Sequence, residues 1–336
     1  SKIANSALIL TANPENLKHV VNPNINKIIA KDINIDLKIY GILNPTKEEY
    51  TIAEQFHKSF NKHESQRIKD LENLFLELGA PKTVITLFYC NKFFIFFENW
   101  VKSCEKNGIE IRDKTITFSL DIESFEKTKA LGFKTFLLNY EKAGDSNIFG
   151  DSGFASAMFY KNAIMDTMLK VIPNGNYLLF QDSDLLWLNN PIQFLENNSI
   201  ENNYDIQIMY DGPNPVYKNI YANTGFIFIL NNSVTKSIFE TALNNSAFIF
   251  ASGSHQKILC PILEHYQQHN LLNLVILPET EFINGHLISN GTGEISNKLP
   301  SDWKSKAMCL HYSWTSNKAD KFKKLRILGF DYIVTE

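Results

Sequence analysis

The stretch YLLFQDSDLLWLNNP, residues 177–191, decides the fold. Its apolar opening follows the turn residues Pro173, Asn174 and Gly175, which predicts a buried strand over Tyr177–Phe180. The strand leads directly into Gln181, Asp182, Ser183 and Asp184. In near-extended backbone, residues two apart project to the same side, so Asp182 and Asp184 can address one point beyond the strand. Open α/β sheets bind ligands at that carboxyl edge, and two hard oxygen ligands suit a small divalent cation. An Asp-x-Asp triplet alone is more often a solvated turn. Here Leu185, Leu186, Trp187 and Leu188 continue the apolar run, so the pair stands at the rim of a buried strand, where charge demands a counter-charge or a metal. A nucleotide diphosphate is the natural third party. A cation bridging its oxygens would neutralise the charge that grows on a leaving phosphate.

Working outward, alternating patterns surround this strand. Thr83 to Tyr89 reads as a strand, followed by a helix with Phe93, Phe94, Phe97, Trp100, Val101 and Cys104 on one face and a stop at Gly108. A second strand is expected at Thr115 to Leu120. A short helix from Asp121 to Leu131, capped by Gly132, then leads to a third strand around Phe136 to Leu138. Repeated βα units predict an α/β fold with a mostly parallel central sheet flanked by helices. A polar loop, Asn139 to Gly153, precedes a helix with Ala157, Met158, Ile164, Met165, Met168 and Leu169; loops of this kind often move over ligands. Later strands are expected at Asp205 to Met209, Gly225 to Leu230 and Leu274 to Leu277. Residues before Pro81 read as an extension: a strand-like run from Leu37 to Leu43, then one long helix. Thr46 and Glu49 have capping-box spacing, Ile52, Phe56, Phe60, Ile68, Leu71, Phe75 and Leu78 form the apolar face, and Gly79 with Pro81 ends it. The expected division is an extension over residues 1–80, whose helix packs or contacts a protein partner, and a catalytic domain over 81–336.

The 336 residues are 44% apolar and 21% charged, with net charge −3 and no apolar run long enough to span a bilayer. Without a basic cluster, nucleic acid is not the expected partner. Cys90, Cys104, Cys260 and Cys309 are scattered among apolar neighbours, which suits buried free thiols in a reducing compartment. The cytoplasm is therefore the expected location, with the Golgi lumen or secretion as alternatives for a chain trimmed ahead of Ser1. His265 and His269 are four apart on an expected helix but lack the HExxH pattern and receive no metal. The Gly-rich Asn290 to Gly293 is expected as a loop bordering an acceptor site.

Several segments, in order, resemble the nucleotide-diphospho-sugar transferase family of glycosyltransferases. They are FYKNAIM around Lys161, QDSDLLWLNNP, YDIQIMYDG, NTGFIFIL, INGH and the closing HYSWTSNKADKFKK. The resemblance runs from about Thr83 to Arg326 and implies a Rossmann-like GT-A fold. It further implies a UDP-sugar donor, retention of anomeric configuration, and a glycan, lipid or protein acceptor. By the same resemblance His311 is the third cation ligand, and its imidazole favours Mn²⁺ over Mg²⁺. Lys161 and Lys318 become contacts to the diphosphate or donor sugar, Ser183 is carried with Asp182 as a donor-binding position, and Asn223 and Gly225 let backbone approach the sugar. Thr86 and Tyr89 meet uracil and ribose by position alone, with core packing as the equal alternative. Where relatives show Asp-Gln near the transferred sugar, this chain has His255-Gln256. Both are carried as catalytic positions, and the missing aspartate puts the donor and activity in question. Two other readings remain: a non-catalytic sugar-nucleotide-binding module, and a pyrophosphorylase, whose Gly-rich loop after the first strand is absent here.

Overall fold

Strand by strand, the chain runs β1 (Thr83–Tyr89), β2 (Thr115–Ser119), β3 (Lys134–Leu137), β4 (Tyr177–Gln181), β5 (Leu185–Trp187), β6 (Ile206–Tyr210), β7 (Ala222–Leu230), β8 (Leu274–Leu277), β9 (Phe282–Asn284) and β10 (Cys309–His311). The structure, a computed structural model, describes residues 35, 37, 42–138, 152–213, 220–288, 294–315 and 317–333. Seven strands form the central sheet in the order β3-β2-β1-β4-β7-β6-β8. All its pairings are parallel except the two made by β7. Order reverses between β1 and β4, and that switch point is where an open α/β sheet leaves a crevice at its carboxyl edge. Every strand expected from the sequence and lying in the described residues forms, and β7 starts at Ala222, three residues before the expected Gly225.

The helices are α1 (Lys47–Asn61), α2 (Glu64–Glu77), α3 (Asn91–Lys106), α4 (Ile122–Ala130), α5 (Ser152–Val171), α6 (Pro191–Asn202), α7 (Ser233–Asn244), α8 (Ser246–Ser252), α9 (Gln256–Gln268), the single turn α10 (Trp303–Lys306) and α11 (Lys318–Leu328). On one face of the sheet, Ile85, Leu87 and Tyr89 of β1 join Phe94, Phe97, Trp100 and Val101 of α3, as the two periodicities dictate. Trp100 meets Trp187 of β5 edge to face at 5.5 Å, which ties the short strand into this core. Such a pair adds about 0.5–1.5 kcal/mol beyond the area it buries. Helix α5 packs against β4 and is itself covered by α2, α7 and α8. The four cysteines are free and buried, as expected.

One expectation is corrected. The long helix is two, α1 and α2, because the backbone leaves the helical region at His63 (φ −123°, ψ 25°). Arg67 reaches back across the break, donating to the Phe60 carbonyl at 2.6 Å with its guanidinium 3.6 Å above the Phe60 ring. It thereby satisfies a carbonyl that the interruption leaves open. The capping box does form: Thr46 N–H donates to Glu49 Oε2 at 2.6 Å and Glu49 N–H to Thr46 Oγ1 at 3.3 Å. The run Leu37 to Leu43 lies largely outside the described residues, and Leu37, Ile42 and Leu43 carry no strand. Most of the polar loop after Leu138 and all of Asn290 to Gly293 also lie outside them.

The sequence patterns did not reveal a second, three-stranded sheet, β5-β10-β9. Strand β10 runs antiparallel to β5 and parallel to β9, placing His311 opposite Leu185 and Asn284. Three-residue strands carry no readable period.

Candidate active site

The tight path from β4 to β5 builds the site. Gln181 closes it: its Oε1 accepts the buried Trp187 indole N–H at 2.8 Å, so the apolar run after the aspartates folds back beneath them. The Asp182 N–H donates to the Gly225 carbonyl of β7 at 2.8 Å, and the Tyr312 N–H to the Asp184 carbonyl at 3.1 Å. The second bond extends the β5–β10 ladder by one step and carries His311 to the acidic pair. Asp182, Asp184 and His311 offer ligand atoms that all lie within 4.8 Å of one another. His311 Nε2 stands 3.3 Å from Asp184 Oδ1 and 3.9 Å from Asp182 Oδ2.

The fit to a cation rests on Gly225 as well as on the donor set. A Cβ there would come within 2.3 Å of His311 Cε1 and 2.7 Å of Asp182 Oδ2, so only glycine leaves the cradle open. It lies where the β6–β7 register shifts, the bulge that an isolated glycine in a strand often marks. Two carboxylate oxygens and an imidazole nitrogen form a donor set that fits Mn²⁺ or Mg²⁺. His311 Nδ1 is buried without a hydrogen-bond partner among the described residues, so no second bond fixes its tautomer.

Two lysines flank the acids. Lys161, on α5 and only 2% exposed, donates to Asp182 Oδ1 at 2.7 Å. Lys321 bonds Asp184 Oδ2 and also donates to the Tyr312 carbonyl at 3.1 Å. Burial works to raise the Asp184 pKa, but Lys321 and His311 outweigh it and hold this carboxyl well below the usual carboxylate range. Lys318, expected at the diphosphate, instead donates to the Lys92 carbonyl at 2.5 Å and does not line the cleft. One helical turn decides which lysine of HYSWTSNKADKFKK faces the acids.

These residues line an open cleft of about 260 Å³ shared with Asp211, Asn223, Thr224, Gln256 and Trp314. Asp211 organises its far wall: Oδ1 accepts from Asn223 Nδ2 at 2.5 Å and Oδ2 from Gln256 Nε2 at 2.8 Å. Gln256 Oε1 accepts the Thr224 N–H at 3.2 Å, and Asn223 Oδ1 accepts the Gly225 N–H at 2.8 Å. Lys321, Asp211 and Trp314 were not singled out from sequence. All three lie inside quoted segments, YDIQIMYDG and HYSWTSNKADKFKK, yet nothing local separates them from their neighbours.

Four further expected positions do not line the cleft. Thr86 is fully buried, and Tyr89 is buried with its ring stacked on Phe97 at 4.6 Å and its hydroxyl 2.8 Å from Thr128 Oγ1. The core alternative describes both, because their side chains point into the layers rather than past the strand end. His255 is fully buried, its Nε2 3.3 Å from Asn162 Oδ1. Burial, aided by the nearby Lys161 charge, pushes its pKa well down and keeps it neutral. Ser183 is buried and does not line the cleft.

The sequence pattern of the family described as nucleotide-diphospho-sugar transferase matches residues 110–325. A search of curated proteins by sequence finds no match. Among solved structures, the chain is similar to mouse xyloside xylosyltransferase 1 in its apo form, with 14% identity, 70% of this chain and 98% of that one covered, and a TM-score of 0.42. It is also similar to the galactosyltransferase LgtC in complex with donor and acceptor sugar analogues, at 12% identity, 75% and 96% coverage, and a TM-score of 0.47. A third is a glycosyltransferase involved in glycosylation of the major capsid of PBCV-1, at 15% identity, 73% and 100% coverage, and a TM-score of 0.41.

Proposed function

Because the chain belongs to the nucleotide-diphospho-sugar transferase family, we propose that it transfers a sugar from a UDP-sugar to a hydroxyl of a glycan, lipid or protein acceptor, with retention of configuration. The observation that carries the reading is the convergence of Asp182, Asp184 and His311 around the space Gly225 leaves open. These three would hold the cation, Mn²⁺ by preference, which would supply Lewis-acid stabilisation of the departing diphosphate. Lys321 is placed to release Asp184 and donate to a diphosphate oxygen, taking the role that the sequence suggested for Lys318. Lys161 holds the Asp182 carboxylate in orientation through their 2.7 Å ion pair. Asn223 and Gln256, fixed by Asp211, present amide donors and acceptors to the transferred sugar.

Retention is supported by the state of Asp211. Both of its oxygens already accept hydrogen bonds from side chains of the cleft wall, so it is poorly placed to act as base or nucleophile. The departing phosphate oxygen then takes the proton of the acceptor hydroxyl. His255 made a non-catalytic module conceivable; its side chain is fully buried, while its neighbour Gln256 lines the cleft.

The test is a donor panel of UDP-, GDP- and dTDP-sugars, following nucleotide release with Mn²⁺, with Mg²⁺ and after chelation. Release from a UDP-sugar, faster with Mn²⁺ and abolished by chelator, is expected. Full turnover in chelator would reject the cation; silence with every donor would reject the transferase reading.

A further inference from the structure

Four non-glycine residues among those described have positive φ: Ala80, Asn203, Asn270 and Trp314. Asparagine tolerates that region, and Ala80 follows a helix end at Gly79, but a tryptophan at φ 57° is strained and needs a reason. The local cause is visible. Ser313 is pinned at both ends: its Oγ donates to Asn284 Oδ1 at 2.7 Å, and its carbonyl accepts from Lys324 Nζ at 3.3 Å. A Cβ on Gly285 would fall 1.9 Å from that same carbonyl, so the segment cannot shift. The chain must turn at 314 to reach Asn317, which caps α11. Glycine would make this turn without strain, yet the position holds the largest side chain.

That side chain is held in one orientation at the mouth of the cleft. Its indole N–H donates to the Asp211 carbonyl at 2.6 Å, and its ring leans on His286 at 5.9 Å, which in turn meets Tyr210 edge to face at 5.6 Å. Gly212 makes room for this stack, since a Cβ there would lie 2.8 Å from His286 Cγ. Trp314 nevertheless remains 46% exposed while lining the same cleft as Asp182, Asp184 and Gln256. A rigid, half-open indole beside polar groups is the surface that receives the apolar C–H face of a sugar ring, because a large aromatic area is offered with little side-chain freedom left to lose.

The geometry points to Trp314 as the platform on which the acceptor is seated, and to a pyranoside as the acceptor class. This rests on the transferase reading and adds the identity of the group that receives the sugar. The donor's diphosphate would be drawn to Asp182, Asp184, His311 and Lys321, which gather in the same cleft. Trp314, lining that cleft and 46% exposed, offers its ring to the second substrate.

The experiment uses the full chain with Mg²⁺ and UDP and a panel of methyl α- and β-glucosides and galactosides. Saturation-transfer NMR reads binding without turnover, and transfer kinetics read acceptor and donor KM separately. Expected are saturation of ring C–H protons of at least one glycoside by the wild-type protein, its loss in Trp314→Gly and its partial return in Trp314→Phe. In turnover, Trp314→Gly should raise the acceptor KM at least tenfold while the donor KM moves less than threefold, with a melting temperature no lower than wild type because the strain is relieved. Equal glycoside binding by wild type and Trp314→Gly, or a loss confined to the donor KM, would overturn the proposal. Glycoside binding that depends on Trp314 in a protein that releases no UDP would sink the transferase reading and leave the platform standing.

Discussion

Two buried aspartates near helix α5, one in the cleft and one on the side that α2 covers, are held in opposite ways. Asp184 and Asp166 are each less than a tenth exposed, so burial raises both pKa values. At Asp184, two neighbours outweigh that cost: the Lys321 ammonium in direct contact, with its side chain 19% exposed, and His311, 4% exposed. At Asp166 the partner Lys170, 2.9 Å away, is 42% exposed and shared with Glu64, so burial wins and the pKa stays raised. A charge pair in contact with solvent is screened and weak, whereas a crowded, enclosed set is not. Buried acid alone therefore does not mark a site. What distinguishes the cleft is convergence: several charged groups of different chemistry around a space that Gly225 keeps empty of side chain.

This contrast can be broken most directly by substitution at the two acids. Asp184→Ala should reduce UDP release by about 10³-fold or more, the scale expected when charge stabilisation at a reacting phosphate is removed. Its circular dichroism should be retained, because the bond to Tyr312 uses the main-chain carbonyl. Asp166→Ala should leave release within about twofold and cost about 1 kcal/mol in urea unfolding. Similar activity losses in both variants would erase the distinction.

A smaller effect sharpens the cleft itself. Lys321→Ala should raise the donor KM about tenfold, equivalent to about 1.4 kcal/mol, and Lys318→Ala less than about twofold. The reverse order, in steady-state kinetics with donor varied, would return the diphosphate contact to Lys318.

The smallest effect is a pH dependence on the α2 side. Asp166 binds its proton more tightly folded than unfolded, so the stability it contributes is complete in acid and is lost as pH rises from its ordinary value of 3.8 through the raised folded value. Asp166→Asn lacks this loss. Its stability relative to wild type should therefore improve between pH 4 and pH 7 in urea titrations; a gap that stays constant would mean the carboxyl is not raised.

Much of the architecture was legible in residues. The apolar faces of α3 and α5 and the strands β1 to β4 follow from periods of 3.6 and 2, and the apolar flanks correctly planted Asp182 and Asp184 at a strand end. The break at His63 was missed because Phe60 and Ile68 keep the apolar stripe nearly in phase across it, and Arg67 stabilises the bend only through space. Thr86 and Tyr89 were ambiguous for a related reason: a strand's alternation tells which residues share a face, not whether the last of them clears the packed layers.

The chain's own pattern determined a parallel-type sheet with an acidic pair at its rim, since these depend on which face of a local element is apolar. Only the tertiary structure decided that β10 slides between β5 and β9 to bring His311 to that pair, that Lys321 rather than Lys318 faces it, and that Trp314 is turned into the opening. Those outcomes depend on pairings between distant segments, some only three residues long, whose register is set by what they pack against.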